Sequence, residues 1–339
     1  MSKNPWLPYM KFAHRLLLTV MLLSGWAGGL QAQERQEQQI VDVDVLIYMI
    51  DIDEVNSVAQ SFKATVYAEF RWSDPDLVHP GPDSFSKNLD DIWYPRTQIL
   101  NQQRLVDTFP RTAEVQPNGE VIYRQRVWGD FSESLELREF PFDSQTLHVP
   151  LVNVKFGSRQ VRYHVNPQSG VAATLRIPDW QVRSWDVTST ELPIGHDHTE
   201  RPAVVFTLEV ERYASFFILK VILPLILIVA MSWMVFWIDP SLAAPQISVA
   251  VTAMLTLIAY RFAIGGMVPR LGFLTSLDYF VMGSTVLVFA GLLEVVYTAH
   301  LFQSGQQERA RAVDKKARWI IPLIYLCVVI ETLYLRLSF

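Results

Sequence analysis

Two hydrophobic patterns divide this chain. From Ile40 to Arg212 apolar and polar residues alternate in short runs. Val41, Val43, Val45 and Ile47 are interleaved with Asp42, Asp44 and Leu46. The same period of two recurs over 62–72, 120–127, 134–137, 146–152, 160–165, 180–187 and 204–210. Successive strand side chains point to opposite faces, so this alternation predicts half-buried strands. Turn residues separate them at His79–Pro82, Pro117–Gly119 and Pro193–Gly195. Many short strands punctuated this way predict an immunoglobulin-like β-sandwich. Beyond Arg212 the pattern becomes long apolar runs, at about 216–238, 246–267, 278–302 and 319–337. Each is long enough to cross roughly 30 Å of hydrocarbon. The expected fold is therefore a β-sandwich of residues 33–212 followed by a four-helix transmembrane bundle of residues 213–339.

The second apolar run has one distinctive face. Ser248, Thr252, Leu255, Ala259, Phe262 and Gly266 are spaced 4, 3, 4, 3 and 4 residues apart. That mean spacing is one helical turn, so they form a single stripe that begins with hydroxyls and ends with apolar groups. Such a stripe suits a helix lining a water-filled channel, where an apolar ring closes the passage by dewetting. Serine and threonine also bond back to their own backbone or to a neighbouring helix in ordinary membrane bundles. On the stripe alone both readings stand.

Composition and charge refine this division. Half the residues are hydrophobic and the mean hydropathy is +0.18, high for a water-soluble protein. Lys3, Lys11 and Arg15 precede an apolar core, Leu16–Ala27, and small residues Gly28, Gly29 and Ala32. Residues 1–32 thus read as a secretory signal, with a first membrane helix as the alternative. Cys327 is the sole cysteine, so the β-domain cannot rely on disulfides. From Gln33 to Arg212 there are 28 acidic residues against 17 basic ones. An acidic vestibule concentrates cations, though solubility alone explains many of these charges. Residues 303–318 carry Arg309, Arg311, Lys315, Lys316 and Arg318, which predicts a basic cytoplasmic linker. The β-domain then lies outside, in the periplasm of a cell with an inner membrane. Ser248 and Thr252 fall at the inner end of their helix, and Phe262 near the outer end.

Phe140-Pro-Phe-Asp-Ser-Gln145, between two predicted strands, resembles the signature loop of the pentameric ligand-gated ion channels. Two cysteines bracket that loop in the animal members, and Glu133 and Leu147 stand at the corresponding positions. Their absence is similar to the bacterial branch. Asp53-Glu-Val-Asn56, Trp72-Ser-Asp74, Trp93-Tyr-Pro95, Arg212, Pro224 and Pro269-Arg-Leu271 follow in the family's order, so the resemblance covers about residues 39–339.

The resemblance implies a homopentamer that passes inorganic ions through a pore lined by the second helix of each subunit. It implies a small-molecule agonist, or protons, binding between adjacent β-domains. It implies no cofactor, no catalytic residue, no bound metal and no nucleic-acid partner, with membrane lipid as the surroundings. Leu255 and Phe262 are the expected constrictions. Asp53 or Glu54, Pro141, Phe142, Asp143, Arg212 and Pro269 are the expected coupling residues; a membrane-edge arginine that snorkels is the plainer alternative for Arg212. Tyr67, Trp93, Tyr123, Trp128 and Phe156 are candidate ligand contacts through cation–π attraction. His196 and His198 form either a solvated loop tip or a proton or metal site with Asp197 and Glu200. Trp72, Trp180 and Trp185 are expected in the core.

The stretch Ala243-Ala-Pro-Gln246 lacks the glutamate that cation channels of the family usually carry at the inner mouth. The acidic β-domain still favours cations, with an anion channel of the same family as the alternative. Of three charges within membrane runs, Arg261 has Asp278 and Glu331 as candidate partners, while Glu294 has none. A membrane-anchored binding or sensor protein is the competing class, but it leaves the polar stripe unexplained. No Ser-His-Asp, HExxH or P-loop pattern supports an enzyme.

Overall fold

The computed structural model describes residues 40–196, 198–266 and 271–337, with side chains to residue 331. The predicted signal, Asp197 and Pro269 lie outside the described residues. Two sheets form the β-domain. The larger runs β10–β1–β2–β7–β6–β3, with β5 added to β7 and β9 added to β1. It is built on β1 (Val41–Asn56), β2 (Ser61–Ser73) and β7 (Glu120–Ser132). Its shorter strands are β3 (Phe85–Asn88), β5 (Gln102–Asp107), β6 (Thr112–Val115), β9 (Val161–Val165) and β10 (Gly170–Val171). The smaller sheet is β11–β12–β8–β4, from β11 (Trp180–Ile194), β12 (Thr199–Arg212), β8 (Ser144–Asn153) and β4 (Thr97–Ile99).

The alternation of β1 is realised residue by residue: Val43, Val45, Ile47 and Met49 are buried between the sheets. Phe62, Val66, Phe70 and Trp72 of β2, and Val149, Leu151, Phe206 and Leu208 of the facing sheet, complete that core. Ser134–Leu137 departs from expectation. Leu135 and Leu137 are buried, yet the segment is not a strand. Side chains take the place of a ladder: the Leu135 amide donates to Gln60 Oε1 and the Glu136 amide to Gln145 Oε1. Trp72 and Trp180 are core residues, but Trp185 is exposed on edge strand β11.

Four helices follow: α1 (Ser215–Trp237), α2 (Ala243–Ile264), α3 (Ser276–Gln303) and α4 (Gln307–Leu337). The first three are long and apolar enough to cross a membrane. α1 contains a π-helical turn at Ile218–Ile222 and ends in a 3₁₀ turn at Met234–Trp237. The α2 helix starts earlier than its apolar run because Pro245 falls in the first turn, where a missing amide costs nothing. The basic segment predicted as a linker is helical from Gln307 onward. Its Ala, Arg, Lys and Glu residues are strong helix formers, and Asp314 and Arg318 pair one turn apart. α3 begins with a capping box in which Thr275 and Asp278 satisfy each other's backbone amides. Asp278 is thereby committed to its own helix rather than to Arg261.

Candidate functional site

Three places in the molecule gather the residues singled out by sequence. The first is α2, whose two faces differ sharply. Gln246, Ala250, Ala253, Leu257 and Ile264 are buried against the other helices. Small alanines on this face permit close packing. Ser248, Thr252, Leu255, Ala259 and Phe262 lie on the opposite, exposed face, and Gly266, also exposed, follows the end of the helix at Ile264. Leu255 is 61% exposed and Phe262 82%. The Thr252 hydroxyl donates to the Ser248 carbonyl at 2.7 Å, and Thr256 to the Thr252 carbonyl at 2.8 Å. Their oxygens keep lone pairs free to accept or to meet a cation. Higher up, the Tyr260 hydroxyl donates to the Lys220 and Val221 carbonyls, which belong to the π-turn of α1. Gln246 points into the bundle and donates to the Val235 and Ile238 carbonyls. It therefore does not sit at the mouth of the stripe.

The second place is the junction between β-domain and helices. Arg212 closes β12 with a side chain only 7% exposed, and its partner Asp143 is 1% exposed. The guanidinium makes two bonds to that carboxylate, at 2.7 and 3.0 Å, and a third to Ser57 Oγ at 2.9 Å. It lies over the rings of Trp180 and Phe140, at 4.1 and 5.0 Å. Gln145 Nε2 also donates to Asp143 Oδ2, the oxygen that accepts from Arg212 Nη2, at 2.6 Å. Every partner of this buried pair is itself satisfied, which is what makes a buried ion pair tolerable. A snorkelling arginine would be solvated, and this one is not.

From this hub the 138–143 segment reaches the helices directly. Ser276 and Leu277 at the start of α3 donate their amides to the Arg138 and Phe140 carbonyls. The Phe140 ring meets Phe217 of α1 edge-on at 4.8 Å. Pro141 and Asp143 are buried and Phe142 is half-buried. Asp53 and Glu54 do not join this cluster. No ion pair links either of them to Arg212; the Asp53 carboxylate instead accepts from Trp128 Nε1 at 2.9 Å. Ser57, in the turn that follows β1, takes the expected place. At the base of the loop, Glu133 accepts from the His148 amide and contacts its ring at 3.1 Å. A carboxylate clasp beside Leu147 thus ties the ends that a disulfide brackets elsewhere.

The third place is the β-domain surface, where the candidate ligand residues separate into groups. Trp93 packs between Trp72 and Phe156, with ring centroids 5.8 and 5.6 Å away. The β11–β12 hairpin lies alongside, because Arg201 donates to the Lys155 carbonyl. His196 and His198 are exposed at its tip. Among the described residues no three His, Cys, Asp or Glu side chains converge as metal ligands.

Tyr67 belongs to a different cluster. Its hydroxyl donates to Glu69 at 2.8 Å, and Arg71 and Arg124 donate to the same carboxylate. Burial raises the Glu69 pKa, but these three bonds outweigh it and hold the carboxyl below its usual range. Burial and the adjacent Glu69 push the Tyr67 hydroxyl up to about 12. Tyr123 lines a 550 Å³ cavity with Tyr94, Arg96, Arg111, Gln125 and Lys155. Burial and Asp107 raise its hydroxyl. Trp128 joins neither group. It sits near the junction, beside Asp53 and under Lys63.

Sequence reasoning gave Ser57 no role, and it named Phe140 and Gln145 only as the ends of the signature loop, Gln246 only at the start of the second apolar run, and Arg318 only among the basic linker residues, although each holds the architecture together. Gln246 carried a signal, being a polar residue opening an apolar helix. Ser57 carried none, because its partner is 155 positions away.

A two-sheet β-domain seated on apolar helices, one of them presenting an uncovered hydroxyl-to-apolar stripe, defines a membrane protein with a binding module fused to a helical transmembrane region. The family model for the neurotransmitter-gated ion-channel ligand binding domain matches residues 18–214. The model for the neurotransmitter-gated ion-channel transmembrane region matches residues 221–319. The chain belongs to this family: it is a ligand-gated ion channel, not an enzyme.

Proposed function

We propose that five copies assemble around an axis with α2 of each lining a central pore, as a cation channel of the inner membrane. The β-domain then faces the periplasm, four helices from each copy cross the bilayer, and the basic start of α4 faces the cytoplasm. The observation that carries this reading is the stripe of α2. It is continuous and uncovered in a helix whose other face is packed, and it holds hydroxyls that lipid would not favour. Rings of Leu255 and Phe262 would expel water and close the passage. Ser248 and Thr252 would pass a partly hydrated ion.

Selectivity rests on the acidic balance of the β-domain, since Gln246 is turned inward and no acid stands beside it. Asp239, 3.9 Å from Arg311, is the carboxylate nearest to Gln246 along the chain. The agonist, a small molecule or protons, would bind between neighbouring β-domains, with Trp93, Phe156, His196 and His198 from one copy and the Tyr67 cluster from the next. Tyr123 would act from the adjoining cavity. Binding would reach α1 and α3 through Arg212, Asp143, Pro141 and Phe142, with Pro269 contributing from the α2–α3 connection.

Purified protein in a planar bilayer under a salt gradient tests this reading, with pH jumps and cationic amines as stimuli. Stimulated current reversing near the cation equilibrium potential is expected. Reversal near the anion potential would retain the channel and replace the selectivity. Absence of current under every stimulus would revive the anchored binding protein.

A further inference from the structure

The end of the bundle away from the β-domain is built around groups that lack partners. Asp314 is 3% exposed and its Oδ1 has no hydrogen-bond partner among the described residues. Both carboxyl oxygens of Glu294 and Oε1 of the fully buried Gln246 are likewise buried without one. Unpaired buried polar atoms are costly, so native structures satisfy them with a proton, a water or an ion.

The surroundings indicate which. Helix α1 ends in a 3₁₀ turn closed by the Ile238 amide, which donates to the Val235 carbonyl. Gln246 from α2 covers the Val235 and Ile238 carbonyls, and Arg318 from α4 covers the Phe236 carbonyl with bonds of 2.9 and 2.6 Å. Arg318 also reaches Asp314 Oδ2 at 3.2 Å. Val295, next to Glu294 on α3, and Ala317, one turn from Asp314 on α4, pack with Phe236 in one apolar cluster, which brings the two carboxyls to the same end of the bundle. α3 approaches α1 closely here, since a Cβ on Gly291 would lie 3.4 Å from the Phe236 ring. Arg318 faces Asp314 from one turn along α4, and Asp239 in the α1–α2 turn, itself 3.9 Å from Arg311, is the other charge acting on Asp314. α1 and α2 bring none, because Lys220 and Arg261 stand at their opposite ends. Two buried carboxyls therefore face one close guanidinium, which is already committed to a carbonyl. One negative charge is left over, and among the described residues no three His, Cys, Asp or Glu side chains gather to bind a metal.

We propose that Glu294 and Asp314 together hold one proton, taken up from the side of the membrane on which the α3–α4 turn lies. Independently of the pore, this makes the inner end of the bundle a proton-binding site. Burial and Asp239 raise the Asp314 carboxyl despite the opposing pull of Arg318, in keeping with proton retention. An acid whose folded-state pKa is raised contributes stability at low pH that is lost as pH rises through that value. Loss of the proton would leave two carboxylates competing for Arg318 and draw it from the end of α1.

Infrared difference spectroscopy of the full-length protein in liposomes, with pH steps on each side separately, tests this. Wild type should show a protonated-carboxyl band that disappears as pH is raised on the α4 side. Glu294→Gln should lack that band, and Asp314→Asn should shift its titration. Thermal unfolding should fall with rising pH in wild type and lose that dependence in Glu294→Gln. Should Glu294→Gln fail to fold, Asp314→Asn alone carries the test. An unchanged band and unchanged pH profile in either variant would overturn the pair. A response confined to pH on the β-domain side would overturn its access route.

Discussion

The two ends of the helical bundle each bury an aspartate facing an arginine, and they satisfy it differently. At the β-domain end, Asp143 receives two bonds from Arg212 and one from Gln145, and Arg212 is sandwiched by Trp180 and Phe140. At the far end, Asp314 receives one bond from an arginine shared with a backbone carbonyl, and Glu294 receives none. A buried ion pair holds structure only when its remaining lone pairs are met. The first end is thus a fixed joint, suited to passing a displacement from strands to helices. The second is poised to respond to whatever satisfies it.

The largest expected effect comes from breaking the joint. Arg212→Ala leaves Asp143 buried and unpaired, at a cost of about 3–5 kcal/mol. Thermal unfolding of the purified protein should reveal it, with stimulated current lost. Arg212→Lys should rescue only part of this, because an ammonium cannot reproduce the bidentate geometry. Current that survives Arg212→Ala would mean that gating bypasses this joint.

Next in size is Leu257→Ala, which opens a void on the packed face of α2 and should cost about 2–5 kcal/mol. Leu255→Ser, two positions away on the exposed face, should leave thermal stability nearly unchanged while raising resting current. Equal losses of stability in the two variants would erase the distinction between the faces, and unchanged gating would remove Leu255 as a constriction.

Thr275→Ala removes the cap that starts α3 beside the joint and should cost about 1 kcal/mol. The smallest effect is expected from pH on the β-domain. Glu69 is held below its usual range, so its contribution is present at neutral pH and is lost as pH falls through its lowered value. Acid unfolding monitored by tryptophan fluorescence should show Glu69→Gln losing part of that dependence. Identical acid profiles would assign the dependence to other carboxylates.

Periodicity made much of this architecture legible. The alternation at 41–47 and 62–72 identified the core strands, and the stripe of α2 was read with the face it shows in the structure. Strands β3, β4 and β6 were not legible, because runs of three or four residues carry too little alternation. The basic segment after Gln303 read as a linker because charge was weighed before helix propensity. The candidate ligand residues were chosen by type, and Trp128 shows the limit of that choice: its indole was satisfied by Asp53, which had been assigned to the joint.

By itself the sequence determined the division into β-domain and apolar helices, the signature loop and the exposed stripe, since these follow from local periodicity and motif. Only the tertiary structure decided that Ser57 rather than Asp53 or Glu54 meets Arg212, that Gln246 turns inward, and that the carboxyl oxygens of Glu294 and Asp314 are buried at the same end of the bundle. Those pairings join residues far apart in the chain, where geometry and burial, not spacing, select the partner.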